Sequence, residues 1–380
     1  VKQLLKLEDG LFEIQSTHGT LTAKQVVVAV GGYHKPRIPR LSEKIPAHIQ
    51  QIHSSEYRNS EQLPEGNILV IGSGQSGCQI AEDLHLAGRR VHLSVGSAPR
   101  VARRYRGRDV VEWLAEMGHY DMPVELHPQK EAVRGKANHY VTGRDGGRDI
   151  DLRMRAKEGM QLHGRLTDCV NGVLGFADDL TKNLDNADQS SENIKNMIDG
   201  FITKHGISAP DEARYIPVWK PEGGNSRIDL ISENISGIVW SVGFESSFDW
   251  IDLPIFNGKG YPNHYRGVSR EPGVYFLGLP WLHTWGSGRF SGVARDALYL
   301  AEQIDVGRID LALGIFAQVP PRLSARTLMT QGELIVMRKG HPVARRKLAL
   351  QDLARDLDRY GASLESDPGS LAELQERRTS

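Results

Sequence analysis

The sequence predicts an α/β protein assembled from Rossmann-like units, and three stretches carry that expectation. Residues 66–95, GNILVIGSGQSGCQIAEDLHLAGRRVHLSV, hold a strand (Ile68 to Ile71), a glycine turn, a helix pattern (Ile80, Ala81, Leu84, Leu86) stopped by Gly88, and a second strand, Val91 to Val95. Residues 25–30, QVVVAV, form a continuous apolar run of buried-strand type that breaks into Gly31-Gly32, and residues 239–244 repeat the pattern. Residues 273–304 supply a strand (Val274 to Leu277), Gly278, a small-residue loop and a helix from Val293 to Ile304.

The turn of the first stretch reads Gly72-Ser73-Gly74-Gln75-Ser76-Gly77, a G-x-G-x-x-G sequence with a strand before it and a helix after it. In that setting the first glycine allows the tight turn, the second leaves room for a pyrophosphate and the third lets helix and strand pack closely. The helix start, with Gln75 and Ser76, offers free N–H groups and a positive dipole end to the phosphates. An NAD site usually places an acid roughly 20 residues further on, against the ribose 2′-hydroxyl. Here the second strand ends in Ser94-Val95-Gly96-Ser97, and arginines follow at 100, 103, 104, 106 and 108. Guanidinium forks and hydroxyls suit a 2′-phosphate, so Ser97, Arg100 and Arg103 are assigned to it and NADPH is favoured over NADH. A solvated basic loop is the other reading of the same run.

Taken in order, residues 1–24 alternate as short strands around a turn at His18-Gly19, and residues 40–65 are linker-like with His53 among them. Val110 to Met117 reads as helix; residues 121–147, with Pro123 and Pro128, are irregular. Residues 149–157 have helical composition with Asp149 as N-cap. Two strands follow, Leu162 to Leu166 and Val170 to Phe176, with turns at Thr167-Asp168 and Asn171-Gly172. Residues 178–205 read as helix in two pieces, the second capped by Ser190 or Ser191, and covering the nucleotide unit. Residues 245–272 are loop-rich, and beyond 309 only Leu350, Leu353, Leu357 and Tyr360 suggest an amphipathic helix.

Composition narrows the function. The 47 basic and 47 acidic side chains cancel, so neither nucleic acid nor an anionic membrane is an expected partner. No apolar run reaches the ~18 residues of a membrane span, and no signal peptide is visible. The two cysteines, Cys78 and Cys169, form no CxxC, which fits a reducing cytosol and a cytoplasmic location. No metal site is expected, and an oligomer stays open.

A strand end V-V-A-x-G-G, then P-x-x-P, then H-S-x-x-Y-R, then a glycine fingerprint, resembles the flavin-containing monooxygenase-like flavoproteins. The matching segments are QVVVAVGGYHKPRIP (25–39), HSSEYR (53–58), ILVIGSGQSGCQIAEDL (68–84), GIVWSVGF (237–244) and GVYFLGLPW (273–281). They stand in the family's order and span most of residues 10–305. The family's F-x-G-x-x-x-H-x-x-x-Y/W motif keeps only its second half: Ala47 stands for Phe and Ile49 for Gly. Val30 stands where Thr is usual.

The resemblance implies two Rossmann-like domains, an NADPH domain (63–236) inserted into an FAD domain (1–62 and 237–308), followed by an extension (309–380). It implies a further glycine fingerprint, for the ADP part of FAD, ahead of Val1. It places Gly31, Gly32 and Gly278 beside the flavin, with Ser291 and the Gly292 helix start facing the isoalloxazine. Trp281, His283, Trp285 and Arg289 then share a loop between cofactor and substrate, where Trp285 can stack on the flavin or pack the domain junction. His53 and His283 are the candidate acid/base residues; a histidine in a polar linker such as His53 is more often a hydrogen-bonded structural residue, and a structural role is the other reading of His283 as well. The implied activity is hydride transfer from NADPH to FAD, then O₂ activation and oxygenation of a small organic substrate. A flavin reductase or oxidase without oxygen insertion, and a non-catalytic NADPH-binding remnant, are the alternatives. A disulfide reductase needs a redox cysteine pair that Cys78 and Cys169 do not make.

Overall fold

In the computed structural model, residues 1–303 except 224 and 225 are described, together with 312–313. Seven strands carry the architecture: β1 (Val26–Val28), β2 (Gln50–His53), β3 (Asn67–Ile71), β4 (Val91–Ser94), β5 (Gln161–His163), β6 (Ile235–Trp240) and β7 (Val274–Phe276). Five of them form one sheet in the order β5-β4-β3-β6-β2, every neighbouring pair parallel. Both faces of this sheet are covered, which is why its central strands are apolar without alternation. Helix α1 (Gln75–Leu86) lays Ile80, Ala81 and Leu84 on Ile68, Val70, Val91 and Leu93. On the opposite face Leu69, Ile71, Ile238 and Trp240 pack against Cys169, Leu174, Phe176 and Ile228, from an antiparallel sheet of Leu166–Val170, Val173–Phe176 and Arg227–Asp229.

The remaining two strands belong to a second sheet. β1 and β7 pair in parallel, Val274 with Val26, Tyr275 with Val27 and Phe276 with Val28. A hairpin (His264–Tyr265, Val268–Ser269) flanks β7, and Ala312–Leu313 flanks β1. Against this sheet lie the short strands of residues 3–23, with Leu4, Phe12 and Ile14 meeting Val26, Val28, Val274 and Phe276 in one core. Segments 25–39 and 273–304, far apart in sequence, are therefore joined at strand register.

Between the sheets the chain crosses twice, and the borders drawn at 62/63 and 236/237 do not coincide with these crossings. β2 and β6 both lie in the nucleotide sheet, so GIVWSVGF is a central strand there and does not return to the flavin side. A buried parallel strand reads as the same apolar run whichever sheet it enters, so composition does not decide its partner. In the crossings Lys35–Pro36 pairs antiparallel with Phe244–Glu245.

Four helices complete the described fold. α2 (Val110–Glu116) is capped by Asp109, whose side chain accepts from Val111 N. α3 (Leu152–Lys157) is capped by Asp151, which accepts from Arg153 N and Met154 N; Asp149, the residue expected there, instead accepts from Arg103 N. α4 (Leu180–His205) is one continuous helix, and Ser191 is buried inside it, so no second cap exists. Its Ile194, Ile198 and Ile202 close a core with Tyr105, Trp113 and Leu114. α5 (Val293–Gln303) follows β7. Thr167-Asp168 lies within a strand, at a shift in its register, because Asn171-Gly172 alone turns the hairpin, with φ +52° and +79°. The helix suggested for 350–360 falls outside the described residues.

Three half-buried histidines make the fold acid-sensitive. Burial, followed by His92, pushes His163 down to about 4; burial with His119 does the same for His139, and burial with Arg134 for His264. A folded-state value below the unfolded one means that the unfolded chain takes up protons first. Stability is thus expected to fall as pH drops from about 6.5 to about 4, and to level off below that. Each unit of difference is worth about 1.4 kcal/mol. Urea unfolding midpoints measured across this range test it; a flat profile would contradict the burial of these rings.

Candidate active site

The three glycines of the fingerprint divide into two kinds. A Cβ on Gly77 would lie 1.8 Å from the Gly72 carbonyl oxygen, and one on Gly72 would lie 2.5 Å from the Ser241 carbonyl oxygen. Gly72 also holds φ +103°, a left-handed region that favours glycine. A Cβ on Gly74 would meet nothing within 4 Å among the described residues. Two positions thus pack α1 onto the turn, while the middle one borders open space at a helix start that no side chain caps. That is the arrangement a pyrophosphate needs. Ser76 is exposed there, whereas the Gln75 side chain is engaged, bonding both the N–H and the carbonyl of Val141.

The basic loop is mostly spoken for. Arg100 is buried, with Nε 3.0 Å from Asp188 Oδ1 and its guanidinium 3.9 Å over the Tyr215 ring. It binds α4 to the nucleotide domain and presents no fork to a phosphate, contrary to its assignment. Arg103 keeps a third of its side chain exposed but pairs with Asp109 at 2.7 Å. Arg106 pairs with Asp199 and Asp211, and Arg108 with Glu116. Ser97 stays exposed past the end of β4. The carboxylates lie 6 to 105 residues from the arginines they hold, and a local reading of the run does not reach those of Arg100 and Arg106. Arg100→Ala is expected to cost about 1–3 kcal/mol through the lost buried ion pair and the lost packing on Tyr215, while Asp188 keeps its bond to Arg153, with the NADPH over NADH preference unchanged. Denaturant unfolding and paired dissociation constants measure the two halves of this statement.

At the second sheet, Gly31 (φ +71°) follows β1 and Gly278 (φ +78°) follows β7, and among the described residues a Cβ on either would meet nothing within 4 Å. Ligands of open α/β sheets bind beyond the carboxyl ends of such parallel strands. Gly32 and Gly292 serve packing instead: their Cβ positions lie 3.0 Å from Pro280 Cδ and 2.5 Å from Gly286 backbone atoms. The N–H groups of Gly292 and Val293 both donate to the Arg289 carbonyl, so this helix start is closed by its own turn. Ser291 is exposed.

Trp285 has no free face. The Tyr120 ring stacks on it at 4.2 Å between centroids and the Arg289 guanidinium sits 3.7 Å from its centroid, so the two occupy opposite faces. Its neighbours here are Tyr120 from the 119–136 stretch and Arg289 from its own loop. His53 is also structural. It is fully buried, its Nε2 donates to the Gly243 carbonyl at 2.9 Å, and its Nδ1 accepts from Ser55 N at 3.2 Å. With both nitrogens used and no exposure, it pins the crossing between sheets. His283 keeps a side chain 18% exposed, on the loop after β7.

The irregular stretch 119–136, given no role from sequence, closes one side of that loop. Val124 N donates to the His283 carbonyl at 2.7 Å, Arg134 Nε to the Trp281 carbonyl at 3.2 Å, and Arg295 pairs with Asp121. The grouping of His119, Tyr120 and His127 around Pro123 was the sequence signal for it.

Two glycine-bordered openings, each beyond parallel strands and carried by interleaved chain segments, are the fold of a protein with two dinucleotide-binding domains. The resemblance to flavin-containing monooxygenase-like flavoproteins holds. The profile of the pyridine nucleotide-disulphide oxidoreductase family matches residues 1–151. Over 303 residues the chain is 29% identical to an oxidoreductase of Geobacillus kaustophilus described as CzcO-like, covering 79% of this chain and 70% of that one. It is 31% identical over 108 residues to flavin-containing monooxygenase FMO GS-OX-like 8 of Arabidopsis thaliana, covering 28% of this chain and 21% of the relative. Among solved structures, a double mutant of the flavin monooxygenase from Stenotrophomonas maltophilia matches with a TM-score of 0.50 and 13% identity, over 81% of this chain and 70% of that one.

Proposed function

We propose that this chain is an NADPH-dependent flavoprotein oxidoreductase of the monooxygenase type, acting on a small organic substrate with O₂. The observation that carries this reading is the pair of openings, one at Gly74 and one at Gly31 and Gly278, inside a single compact unit. FAD, when bound, supplies a hydride acceptor and a centre that reduces O₂. Around it the chain's own groups bind and shield. The α1 start and Gly74 receive the NADPH pyrophosphate, with Ser97 and the exposed part of Arg103 nearest in sequence to its 2′-phosphate. Gly31 and Gly278 let the flavin approach the ends of β1 and β7. The loop 281–292, backed by residues 119–136, walls the reacting centre from water.

A disulfide reductase of the same architecture lacks support from the thiols. Cys78 and Cys169 are both buried and free, and they pack in different cores on opposite faces of the nucleotide sheet. No helix among the described residues is long and apolar enough to cross a membrane.

The test is spectroscopic. Purified chain incubated with FAD is expected to show a flavin band near ~450 nm that bleaches with NADPH and drives O₂ uptake. A band whose O₂ uptake ends entirely in peroxide, whatever substrate is offered, would replace the proposal with an oxidase. Failure to take up flavin, with NADPH still bound, would leave a nucleotide-binding protein only.

A further inference from the structure

We propose that Asp296 positions His283 as the proton carrier of this site, a role that rests on the reading that loop 281–292 faces the redox centre. Asp296 lies in the first turn of α5 and is 2% exposed, yet among the described residues its Oδ2 makes no hydrogen bond. Its Oδ1 stands 3.8 Å from His283 Nδ1 and 3.8 Å from Arg266 Nε, which has no hydrogen-bond partner among the described residues. A buried carboxyl with an unfilled oxygen is costly, and a shift of about 1 Å brings the imidazole into hydrogen-bond range of it. The His283 main chain is fixed for such a contact: its N–H donates to Ser287 Oγ at 3.0 Å and its carbonyl accepts from Val124 N at 2.7 Å.

An imidazole held through Nδ1–H to a carboxylate carries its lone pair on Nε2. Nε2 then takes a proton from a heteroatom–hydrogen group of the substrate. The heteroatom keeps the bonding pair and gains nucleophilicity, a new Nε2–H bond forms, and Asp296 faces the resulting cation. The charged neighbours act in both directions. Burial, Arg266 and Arg295 disfavour the cation, Asp296 and Glu125 favour it, and the balance lowers His283 below its ordinary value. The ring is therefore poised as a base at neutral pH.

Long-range ¹H–¹⁵N spectra of the full chain read the tautomer without turnover, with His283 assigned through His283→Gln. The Nδ1–H form is expected in the wild type. Asp296→Asn should mix the tautomers and lower the titration midpoint of His283, and Asp296→Glu should restore both. In the flavin-loaded enzyme Asp296→Asn should lower kcat about tenfold, move its pH profile and leave the KM for NADPH unchanged. An Nε2–H ring in the wild type overturns the proposal even where the variant does not fold. So does a variant whose tautomer, midpoint and pH profile match the wild type. Because the tautomer is measured without flavin, a correct tautomer in a chain that never binds flavin would refute the redox reading and not the pairing.

Discussion

Gly77→Ala is expected to remove a large part of the folding stability, about 3 kcal/mol or more, whereas Gly74→Ala leaves it nearly unchanged. The added methyl at position 77 would lie 1.8 Å from the Gly72 oxygen and 2.9 Å from its carbonyl carbon, both of them backbone atoms that cannot rotate away. Relief requires α1 to lift from the turn, which opens the contacts of Ile80, Ala81 and Leu84 with β3 and β4. Overpacking usually costs roughly 1–3 kcal/mol, and a collision with main chain belongs at the upper end. Position 74 has φ −68° and open space, so alanine fits both the backbone and the surroundings. A larger group there meets the ligand instead. Gly74→Val should raise the NADPH dissociation constant by at least about tenfold with an unaltered denaturant midpoint. Wild-type stability of Gly77→Ala would show that helix and turn do not approach as described.

His53→Ala is expected to destabilise the chain by about 2–4 kcal/mol while leaving turnover of the folded enzyme within about twofold. The ring is 0% exposed and packs edge-on to Phe244, with centroids 4.8 Å apart. Removing it takes a donor from Gly243 O and an acceptor from Ser55 N, and leaves a cavity between the two crossings. A general acid or base would behave in the opposite way, losing roughly a hundredfold or more in rate with little change in stability. Thermal unfolding and steady-state rates on one preparation separate the two.

What could be read in the sequence was local. The G-x-G-x-x-G turn, the helix behind it and the strands 26–28, 67–71, 91–94 and 274–276 follow from runs of neighbours, as do the close backbone approaches at Gly72 and Gly77. Partners were not legible. Arg100 looks like a phosphate ligand until Asp188 arrives from α4, and Trp285 looks like a flavin platform until Tyr120 arrives from 165 residues earlier. His53 shows the same limit, since its second hydrogen bond comes from a carbonyl 190 residues away. Asp296 gives no signal in the sequence, because one acid in an amphipathic helix resembles any solvated residue; its burial and the approach of His283 mark it.

The interleaving of the two sheets has a practical consequence for anyone wishing to isolate the NADPH-binding half. A fragment cut at 63 and 236 would carry only three whole strands of a five-stranded sheet, since Gln50–His53 would be discarded and Ile235–Trp240 severed after its second residue. The exposed backbone so created invites strand exchange between fragments and precipitation. An excision running from about residue 49 to about residue 245 keeps the His53–Gly243 tie and both outer strands.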